Sequence, residues 1–483
     1  MEKRVLGKLK PQIVWNIFED ISQIPRESKK EQKIREWVKK WANNHQISWM
    51  EDNVGNLLLS AEASEECEKF PGVILQGHLD MVAQKNPDSS HDFDNDPIPI
   101  KIDEDFVTAE GTTLGADNGI GIAIALAAII DPSLKHGPID VLLTVDEETG
   151  LTGAFGLDKS FLKYKFLLNL DSEEEGKITV SSAGGGDTKF TIPFTRGSKS
   201  SLIGFTLTIG GLTGGHSGVD IHKNRFNAIK VLVEGLVNIR QKVEDFYICS
   251  INGGSAHNAI PRNASCEFLV DNTEGVREIF DDWKRQIKSY KKNEPKINVN
   301  LQETPLDTYI SSTNAVITLL YEIPHGPLAF SNEIVDLVET SNNLALIKTT
   351  LDSIEIVAST RSSFNEELHH VRSELKDLGD RVGAEVIQEP SYPGWHPELD
   401  SPFLNLTKQA YEREYGEEVK LKAVHGGLET GLFKGIDPEL QLVSIGPEIK
   451  DAHSPQERVY IESVDLIWRT VKAVLSNLNR LNT

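Results

Sequence analysis

The segment GADNGIGIAIALAAII, residues 115–130, lies between two shorter apolar runs at 73–75 and 139–145. From Ile120 onward the segment is apolar nearly all round, which is typical of a helix that is buried on every side. A third apolar run follows at 166–170. Strand, buried helix and strand in this order indicate an α/β fold with a mostly parallel sheet.

The chain is long and acidic. Its 483 residues exceed a single ordinary domain of roughly 100–200 residues, so at least two domains are expected. The hydrophobic fraction of 39% and the charged fraction of 25% are those of a globular protein rather than a disordered chain. With 73 acidic and 50 basic side chains the formal net charge is −23, which disfavours nucleic acid and anionic membranes as partners.

The cysteine content and the hydropathy of the sequence indicate in which cellular compartment the protein is expected. The three cysteines are odd in number and have no CxxC spacing, which favours a reducing environment. The first twenty-one residues lack the continuous apolar stretch of a secretory signal. The longest nearly apolar run, 119–130, is far shorter than the ~20 residues that cross a bilayer. We therefore expect a soluble, cytoplasmic protein.

The character of the sequence changes near Ser181. The segment SSAGGGD, residues 181–187, is interpreted as a turn, and alternating strand-like segments and amphipathic helices follow it. A proline-rich stretch, QEPSYPGWHPELDSP at 388–402, marks a second boundary. We predict a main α/β domain formed by residues 1–187 and 391–483, with an α+β domain inserted at 188–390.

Side chains of the kind that bind metals follow the three apolar runs. His78 and Asp80 follow the first run, Glu147 and Glu148 follow the second, and Asp171 follows the third. The carboxyl ends of parallel strands form one edge of a sheet, so these residues are expected to converge. A mixture of histidine and carboxylates suits Zn²⁺, Co²⁺ or Mn²⁺ better than Ca²⁺.

Each of these residues also has an ordinary structural interpretation. Asp117, at the start of the buried helix, could cap that helix, and adjacent acids such as Glu147 and Glu148 are common as solvated residues at a helix start. However, several carboxylates at one edge repel one another unless protons or metal ions compensate. One of the two glutamates could bind metal while the other acts as general base. Asp80 could accept a hydrogen bond from His78 and orient its ring.

The motifs HLDM, GADNG, DEETG, NLDSEEEG and GPEIKDAHSP resemble the metal-ligand motifs of the co-catalytic di-zinc metallopeptidases. That family includes peptidase V, peptidase T, carnosinase and the aminoacylases. Further segments, from PQIVWNIFEDISQIPR to VYIESV, extend the resemblance over nearly the whole chain, towards bacterial dipeptidases of the family. It implies that 1–187 and 391–483 form the catalytic domain, that 188–390 form a lid, and that the protein is a homodimer through that lid.

The resemblance also implies the roles of individual residues. Two divalent ions, with Zn²⁺ expected and Co²⁺ or Mn²⁺ as alternatives, would be held by His78, Asp117, Glu148, Asp171 and His453, with Asp117 bridging them. Glu147 would be the general base, Asp80 would orient His78, and His216 would stabilise the tetrahedral oxyanion. The residues implied to bind substrate are Asn258, Arg262, Arg361, His425 and Gly427.

Taken without the resemblance, several of these residues look unremarkable. His453 would be a surface-loop residue, His216 a turn residue, and the two arginines partners in surface salt bridges. Glu173, Glu174 and Glu175, which follow Asp171, are expected to be solvated surface.

The expected activity is metal-dependent hydrolysis of unblocked dipeptides, Xaa-His and broader. An N-acyl amino acid amidohydrolase or a tripeptidase would use similar metal chemistry, so these alternatives stay open. A third alternative is a metal- or peptide-binding protein with a retired site, against which the presence of Glu147 argues. The expected partner is a small peptide substrate, with neither nucleic acid nor membrane.

Overall fold

The structure, a computed structural model, describes residues 4–332, 334 and 337–481. The chain divides into two compact units. The first, which we call the main unit, comprises Met1–Ser181, Pro397–Ala423 and Leu428–Thr483. The second, the inserted unit, comprises Ser182–His396 and Val424–Gly427.

The α-helices of the described residues are, in chain order, α1 Gln12–Ile21, α2 Gln32–Asn44, α3 Ala116–Ala128, α4 Glu147–Gly150, α5 Thr152–Phe155, α6 Ala228–Arg240, α7 Thr273–Ile287, α8 Thr313–Glu322, α9 Asn365–Val382, α10 Pro402–Tyr415, α11 Glu429–Ile436 and α12 Ile461–Asn477. Short 3-10 helices lie at Lys159–Phe161, Ile221–Lys223, Lys288–Lys292 and Leu478–Arg480.

The β-strands are β1 Ser48–Glu51, β2 Leu57–Ala61, β3 Val73–His78, β4 Ile100–Asp103, β5 Phe106–Ala109, β6 Ile139–Thr144, β7 Phe166–Asn169, β8 Lys177–Ser182, β9 Gly184–Pro193, β10 Arg196–Ser198, β11 Ile203–Gly210, β12 Gly215–His216, β13 Phe246–Gly253, β14 Ala259–Ile260, β15 Ala264–Val270, β16 Asn298–Glu303, β17 Thr308–Ile310, β18 Gly326–Phe330, β19 Val338–Thr349, β20 Ser353–Ser362, β21 Glu385–Gln388, β22 Lys420–Val424, β23 Gln441–Ser444, β24 Ile449–Lys450 and β25 Arg458–Tyr460.

The main unit is built on a mixed eight-stranded sheet with the order β1-β2-β6-β3-β7-β23-β8-β22. Its centre is parallel: β3 pairs in parallel with β6 and β7, and β7 pairs in parallel with β23. Every residue of β3, β6 and β7 is buried, as expected for parallel strands covered on both faces. The predicted α/β fold with a mostly parallel sheet is confirmed, with antiparallel strands at the edges.

Helix α3 is the buried helix predicted from the sequence. Of its thirteen residues, all except Asp117 are buried. Its first turn departs from helical geometry at Asp117 and Asn118, which are joined by a cis peptide bond. Asp117 is the partly buried residue at the start of this otherwise buried helix.

The inserted unit is an antiparallel sheet covered by helices. Its strands follow the order β16-β11-β15-β13-β19-β20-β9-β21, and β18 pairs with β19. The described pairs in this sheet are antiparallel, and α6 and α9 pack on it. A large apolar core from both strands and helices holds the unit together. The assignment of catalytic and lid roles to the two units stays a prediction.

The predicted turn at SSAGGGD is wrong for most of that segment. Ser181 and Ser182 end β8, and Gly184 already begins the ten-residue strand β9, so only Ala183 lies between the two strands. Consecutive glycines are typical of turns, but here they permit another part of the chain to approach the strand closely. A Cβ atom at Gly184 would lie 2.4 Å from the backbone nitrogen of Gly394.

None of the described helices is long and apolar enough to span a bilayer.

Candidate active site

Three neighbouring strands of the main unit end beside the predicted ligand residues. His78 is the last residue of β3, Glu147 and Glu148 begin α4 shortly after β6, and Asp171 follows β7. Because β6, β3 and β7 are adjacent and parallel, their carboxyl ends meet at one edge of the sheet. Asp117, in the first turn of α3, lies at the same edge.

Asp117 stands at the centre of this group. Its Oδ1 atom is 3.0 Å from Nε2 of His78, and its Oδ2 atom is 3.0 Å from Nε2 of His453. Asp171 Oδ1 lies 3.3 Å from the same atom of His78. Glu148 Oε2 lies 3.0 Å from the same atom of His453. One carboxylate thus joins two groups, each with one histidine and one further acid.

These residues fit divalent cations. The candidate ligand atoms of His78, Asp117 and Asp171 lie within 4.8 Å of one another, and so do those of Asp117, Glu148 and His453. The buried carboxylate oxygen Glu148 Oε1 has no hydrogen-bond partner among the described residues. Since buried polar atoms are normally partnered, a cation would supply what this oxygen lacks.

Asp80 connects the histidine to the loop that carries the two glutamates. Its side chain is fully buried, and its Oδ1 atom lies 3.4 Å from Nδ1 of His78. The same carboxylate accepts hydrogen bonds from the backbone N–H groups of Glu147, at 3.0 Å, and Glu148, at 3.2 Å. It also accepts one from the hydroxyl of Ser28 at 2.8 Å. One side chain therefore contacts the imidazole and holds the backbone of both glutamates.

Burial and proximity shift the ionisation of the cluster. Burial raises the pKa of Asp171 to about 6 and raises the pKa of Glu147 well above its ordinary range. Burial alone would lower the pKa of His78, but the charge of Asp171 and the hydrogen bonds with its carboxylate neighbours raise it well above the usual value. Hydrogen bonds with Asp117 and Glu148 raise the pKa of His453 to about 11. In the metal-free protein both histidines therefore hold protons at neutral pH.

Glu457, which sequence reasoning missed, holds the start of α3. Its Oε2 atom accepts hydrogen bonds from the N–H groups of Leu114 and Gly115, at 2.7 and 2.9 Å. Its Oε1 atom accepts those of Ala116 and Asp117, at 2.8 and 3.2 Å. A buried carboxylate thus satisfies four N–H groups that a helix start would otherwise leave unpaired. Nothing in the surrounding SPQERVYIESV distinguishes Glu457 from a surface glutamate.

Arg26 is a second support that the sequence does not single out. Its Nη1 atom donates to the carbonyl oxygens of Leu79 and Asp80, at 3.1 and 2.7 Å, and its Nη2 atom donates to that of Gly115. The guanidinium is buried, and it lies in the field of several carboxylates, foremost Glu457. Arg26 therefore ties the segment after β3 to the start of α3 and adds a positive charge beside the acidic cluster.

The prediction that Glu173 is solvated surface is wrong. It is partly buried, and burial together with the nearby carboxylates, foremost Asp117, raises its pKa to about 9. Glu174 instead pairs with Lys422 at 2.7 Å and with Lys177. Another acid near the cluster is Glu429, which accepts hydrogen bonds from Gln76 and Thr144 and whose pKa is raised to about 7 by burial.

In the inserted unit, His216 has a defined hydrogen-bonding pattern. Its Nδ1 atom lies 3.1 and 3.2 Å from the backbone nitrogens of Gly218 and Val219, which donate to it. Nδ1 is therefore the acceptor, and Nε2 carries the proton of the neutral ring. Burial, assisted by the charge of Arg361, lowers the pKa of His216 and favours that neutral form.

Arg361 and His425 lie in the same neighbourhood of the inserted unit. Arg361 is the penultimate residue of β20 and is only 7% exposed. His425 is buried, and its Nε2 atom is 2.7 Å from the hydroxyl of Ser341. Burial and the charge of Arg361 lower the pKa of His425 to about 3. Gly427 belongs to the same short segment, Val424–Gly427, as His425.

Asn258 and Arg262 flank strand β14. The carbonyl oxygen of Asn258 accepts a hydrogen bond from the N–H of Ser217, next to His216, at 2.8 Å. Arg262 is exposed, and its Nε atom donates to the carbonyl of Leu212 at 3.2 Å. No contact described in the structure joins Arg262 to Arg361.

Comparison with known proteins shows the family of the chain. Residues 74–477 match the model of peptidase family M20/M25/M40. The chain belongs to that family. It is 38% identical over 480 residues to the cytosol non-specific dipeptidase of Escherichia coli strain K12, covering 98% of this chain and 99% of that one.

Solved structures of the family have the same fold. The aminoacylhistidine dipeptidase of Vibrio alginolyticus superposes with a TM-score of 0.92 at 38% identity, over 98% of both chains. The aminopeptidase PepT of Bacillus cereus superposes with a TM-score of 0.57 at 17% identity, over 97% of this chain and 99% of that one. The predicted resemblance and the predicted class, a peptidase and hence a hydrolase, are confirmed.

Replacing Glu457 by Gln is expected to weaken metal binding by about 10–100-fold, as for other groups that support metal ligands. The glutamine amide has an NH2 group where the carboxylate has an acceptor oxygen, so it would face backbone N–H donors with a donor of its own. The first turn of α3, including Asp117, would then lose part of its support. Competition with a chromogenic chelator measures the affinity. Glu462→Gln, a change at an exposed glutamate on α12, is the matched control. Unchanged affinity in Glu457→Gln would contradict this role.

Metal binding is expected to release at least two protons per chain near pH 7, one from each histidine, and the buried carboxyl groups of raised pKa add to that number. His78 and His453 are protonated in the metal-free protein because their pKa values are raised, and only neutral imidazole binds metal. The apparent affinity should therefore rise with pH. Isothermal titration in buffers of different ionisation enthalpy counts the protons, and no release, or an uptake, would show that the assigned ionisation is wrong.

Proposed function

We propose that the protein is a metallo-dipeptidase that hydrolyses unblocked dipeptides, Xaa-His and broader, with two divalent ions, Zn²⁺ foremost. The observation that carries this proposal is the position of Asp117, whose two oxygens face His78 and His453 separately at 3.0 Å. The substrate class is supported by the full-length similarity to two bacterial proteins named as dipeptidases.

Five residues would hold the ions, with Asp117 shared between them: His78, Asp117, Glu148, Asp171 and His453. When bound, the ions supply Lewis acidity that polarises the scissile carbonyl and acidifies water. Co²⁺ or Mn²⁺ suits the same histidine and carboxylate donors.

Glu147 is the proposed general base. Its carboxyl is partly buried beside the cluster, and its backbone N–H is fixed by Asp80 at 3.0 Å. Burial raises the pKa of this carboxyl well above its ordinary range. A carboxylate in that setting is basic enough to take a proton from the attacking water and then deliver it to the leaving amine.

We also assign roles in catalysis and substrate binding to residues of the inserted unit. We assign His216 to the oxyanion of the tetrahedral intermediate because its Nε2–H is the free donor of a neutral ring. Arg361 is assigned to the terminal carboxylate of the substrate, since a guanidinium can bind a carboxylate with two parallel hydrogen bonds. Asn258, Arg262, His425 and Gly427 complete the proposed binding residues.

Glu147→Gln is expected to keep both metal ions and lose at least about 10²–10⁴-fold in kcat. The amide cannot accept the proton, whereas the metal ligands are untouched. Metal content by atomic emission and turnover of Ala-His provide the two readouts, and Glu439→Gln, at an exposed position, is the control.

The proposed function itself is tested on the unaltered protein. Hydrolysis of Ala-His should stop on chelation and return with Zn²⁺, Co²⁺ or Mn²⁺. Full activity in a strong chelator, with metal shown to be absent, would overturn the proposal. Preference for N-acetyl amino acids or tripeptides over dipeptides would support the alternative substrates, and metal binding without any turnover would support a retired site.

We further propose that the protein is a cytosolic homodimer that associates through the inserted unit. Two apolar residues on β18, Leu328 and Phe330, are 41% and 54% exposed. Sedimentation equilibrium should give about twice the chain mass of 53.6 kDa. A monomer at micromolar concentration would refute the assembly. Mixing His216→Ala with Glu147→Gln protein then tells whether His216 acts in its own chain or in its partner.

A further inference from the structure

Two glycine-rich segments and the YPGW segment meet at one aromatic side chain of the inserted unit. Tyr392 and Gly185 exchange backbone hydrogen bonds, with N–H to carbonyl distances of 3.0 and 3.1 Å. A Cβ atom at Gly185 would lie 2.7 Å from the hydroxyl oxygen of Tyr392. A Cβ atom at Gly427 would lie 2.8 Å from its ring. A side chain at either position would clash with the Tyr392 ring, so the ring can lie there because both residues are glycine.

The hydroxyl of Tyr392 contacts Arg361. Nη1 of Arg361 donates a hydrogen bond to this oxygen at 3.1 Å. The geometry is fixed by the sheet, because Arg361 on β20 lies directly opposite Gly185 on β9. The absence of a side chain at Gly185 therefore leaves room for the phenol ring beside the guanidinium.

The charge of Arg361 is not neutralised by this contact. Among the described residues no carboxylate lies within ion-pair distance of Arg361, and its buried Nε atom has no hydrogen-bond partner. Asp187, two residues beyond Gly185, is paired with His257 at 3.0 Å and acts on Arg361 electrostatically only from beyond ion-pair distance. Burying a guanidinium without a directly paired counter-charge is unfavourable, which indicates that an anion completes the arrangement.

A phenol oxygen suits this position for a physical reason. It accepts a hydrogen bond from the guanidinium and fixes its orientation, and a hydroxyl is not an anion as a carboxylate is. A carboxylate in its place would hold Arg361 equally well but would neutralise it and compete with an incoming anion. A tyrosine thus holds the arginine and leaves its full charge available for a ligand.

We propose that Tyr392 is a positioning residue that holds Arg361 in the orientation needed to bind the terminal carboxylate of the substrate. The inference rests on the proposed function. In this arrangement Gly185 and Gly427 both leave room for the Tyr392 ring. The preference for substrates with a free terminal carboxylate then depends on Tyr392, which need not touch the substrate.

Tyr392→Phe keeps the ring and removes only the hydroxyl. We expect KM for Ala-His to rise about tenfold, as for loss of a hydrogen bond to a charged group, with kcat changed less than about twofold. Hydrolysis of the corresponding dipeptide amide, which lacks the carboxylate, should be unchanged. Tyr411→Phe, which removes another hydroxyl that accepts a buried hydrogen bond, is the matched control and should leave both substrates unaffected.

Further variants separate positioning from direct contact. In an Arg361→Ala background, Tyr392→Phe should have no additional effect, because residues acting as one unit are not additive. Gly185→Ala should raise KM like Tyr392→Phe, and should add nothing to Tyr392→Ala, where the ring is gone. Independent, additive effects of Tyr392 and Arg361 would overturn the inference.

The outcomes distinguish the inference from the proposed function. Wild-type protein that fails to hydrolyse dipeptides would overturn the proposed function and the inference together. Active wild-type protein with an unchanged KM in Tyr392→Phe, or with equal losses on the acid and the amide, would overturn the inference alone.

Discussion

Mutual repulsion among buried carboxylates is the constraint on which the main unit depends. Asp80, Asp117, Glu148 and Asp171 lie within a few ångströms of two histidines at one edge of the sheet. Like charges at this spacing, poorly solvated, cannot all remain ionised without compensating cations. In the metal-free protein the protonated histidines offset part of the negative charge of these carboxylates. When metal ions bind and the histidines are neutral, the divalent ions would offset that negative charge instead.

The surrounding structure holds the carboxylates in place against this repulsion. Asp80 fixes the loop after β6, Glu457 fixes the first turn of α3, and Arg26 links that turn to the segment after β3. Each uses backbone N–H or carbonyl groups rather than flexible side chains. Such supports hold ligands in position before any ion arrives, which reduces the cost of assembling the site.

The predictable parts of the fold are those in which a short apolar stretch of sequence by itself indicates burial. Strands β3, β6 and β7 read as continuous apolar runs because parallel strands are covered on both faces, and α3 is apolar all round for the same reason. Ligand-type residues directly after such runs could then be placed at one edge. His453 could not be placed in this way, because it lies 282 residues beyond Asp171 (453 − 171) and only the family resemblance indicates it.

Other parts could not be predicted because their meaning depends on contacts distant in sequence. Glu457 resembles a surface glutamate until the N–H groups of 114–117 are seen to point at it. The glycines of SSAGGGD look like a turn, since the same residue serves turns and close approaches. In the structure Gly185 lies in strand β9 opposite Arg361, and it makes room for the ring of Tyr392, which is distant in sequence. Glu173 could not be predicted for the same reason, because its spatial neighbour is Asp117.

The most direct test of the account is a crystal structure of the protein loaded with Zn²⁺, with anomalous data collected on both sides of the zinc absorption edge. The account predicts two anomalous peaks per chain, about 3.5–4 Å apart as in two-metal sites, on opposite sides of the Asp117 carboxylate. One peak should contact His78 and the other His453. A single peak at full loading, or two peaks that do not share Asp117, would contradict it.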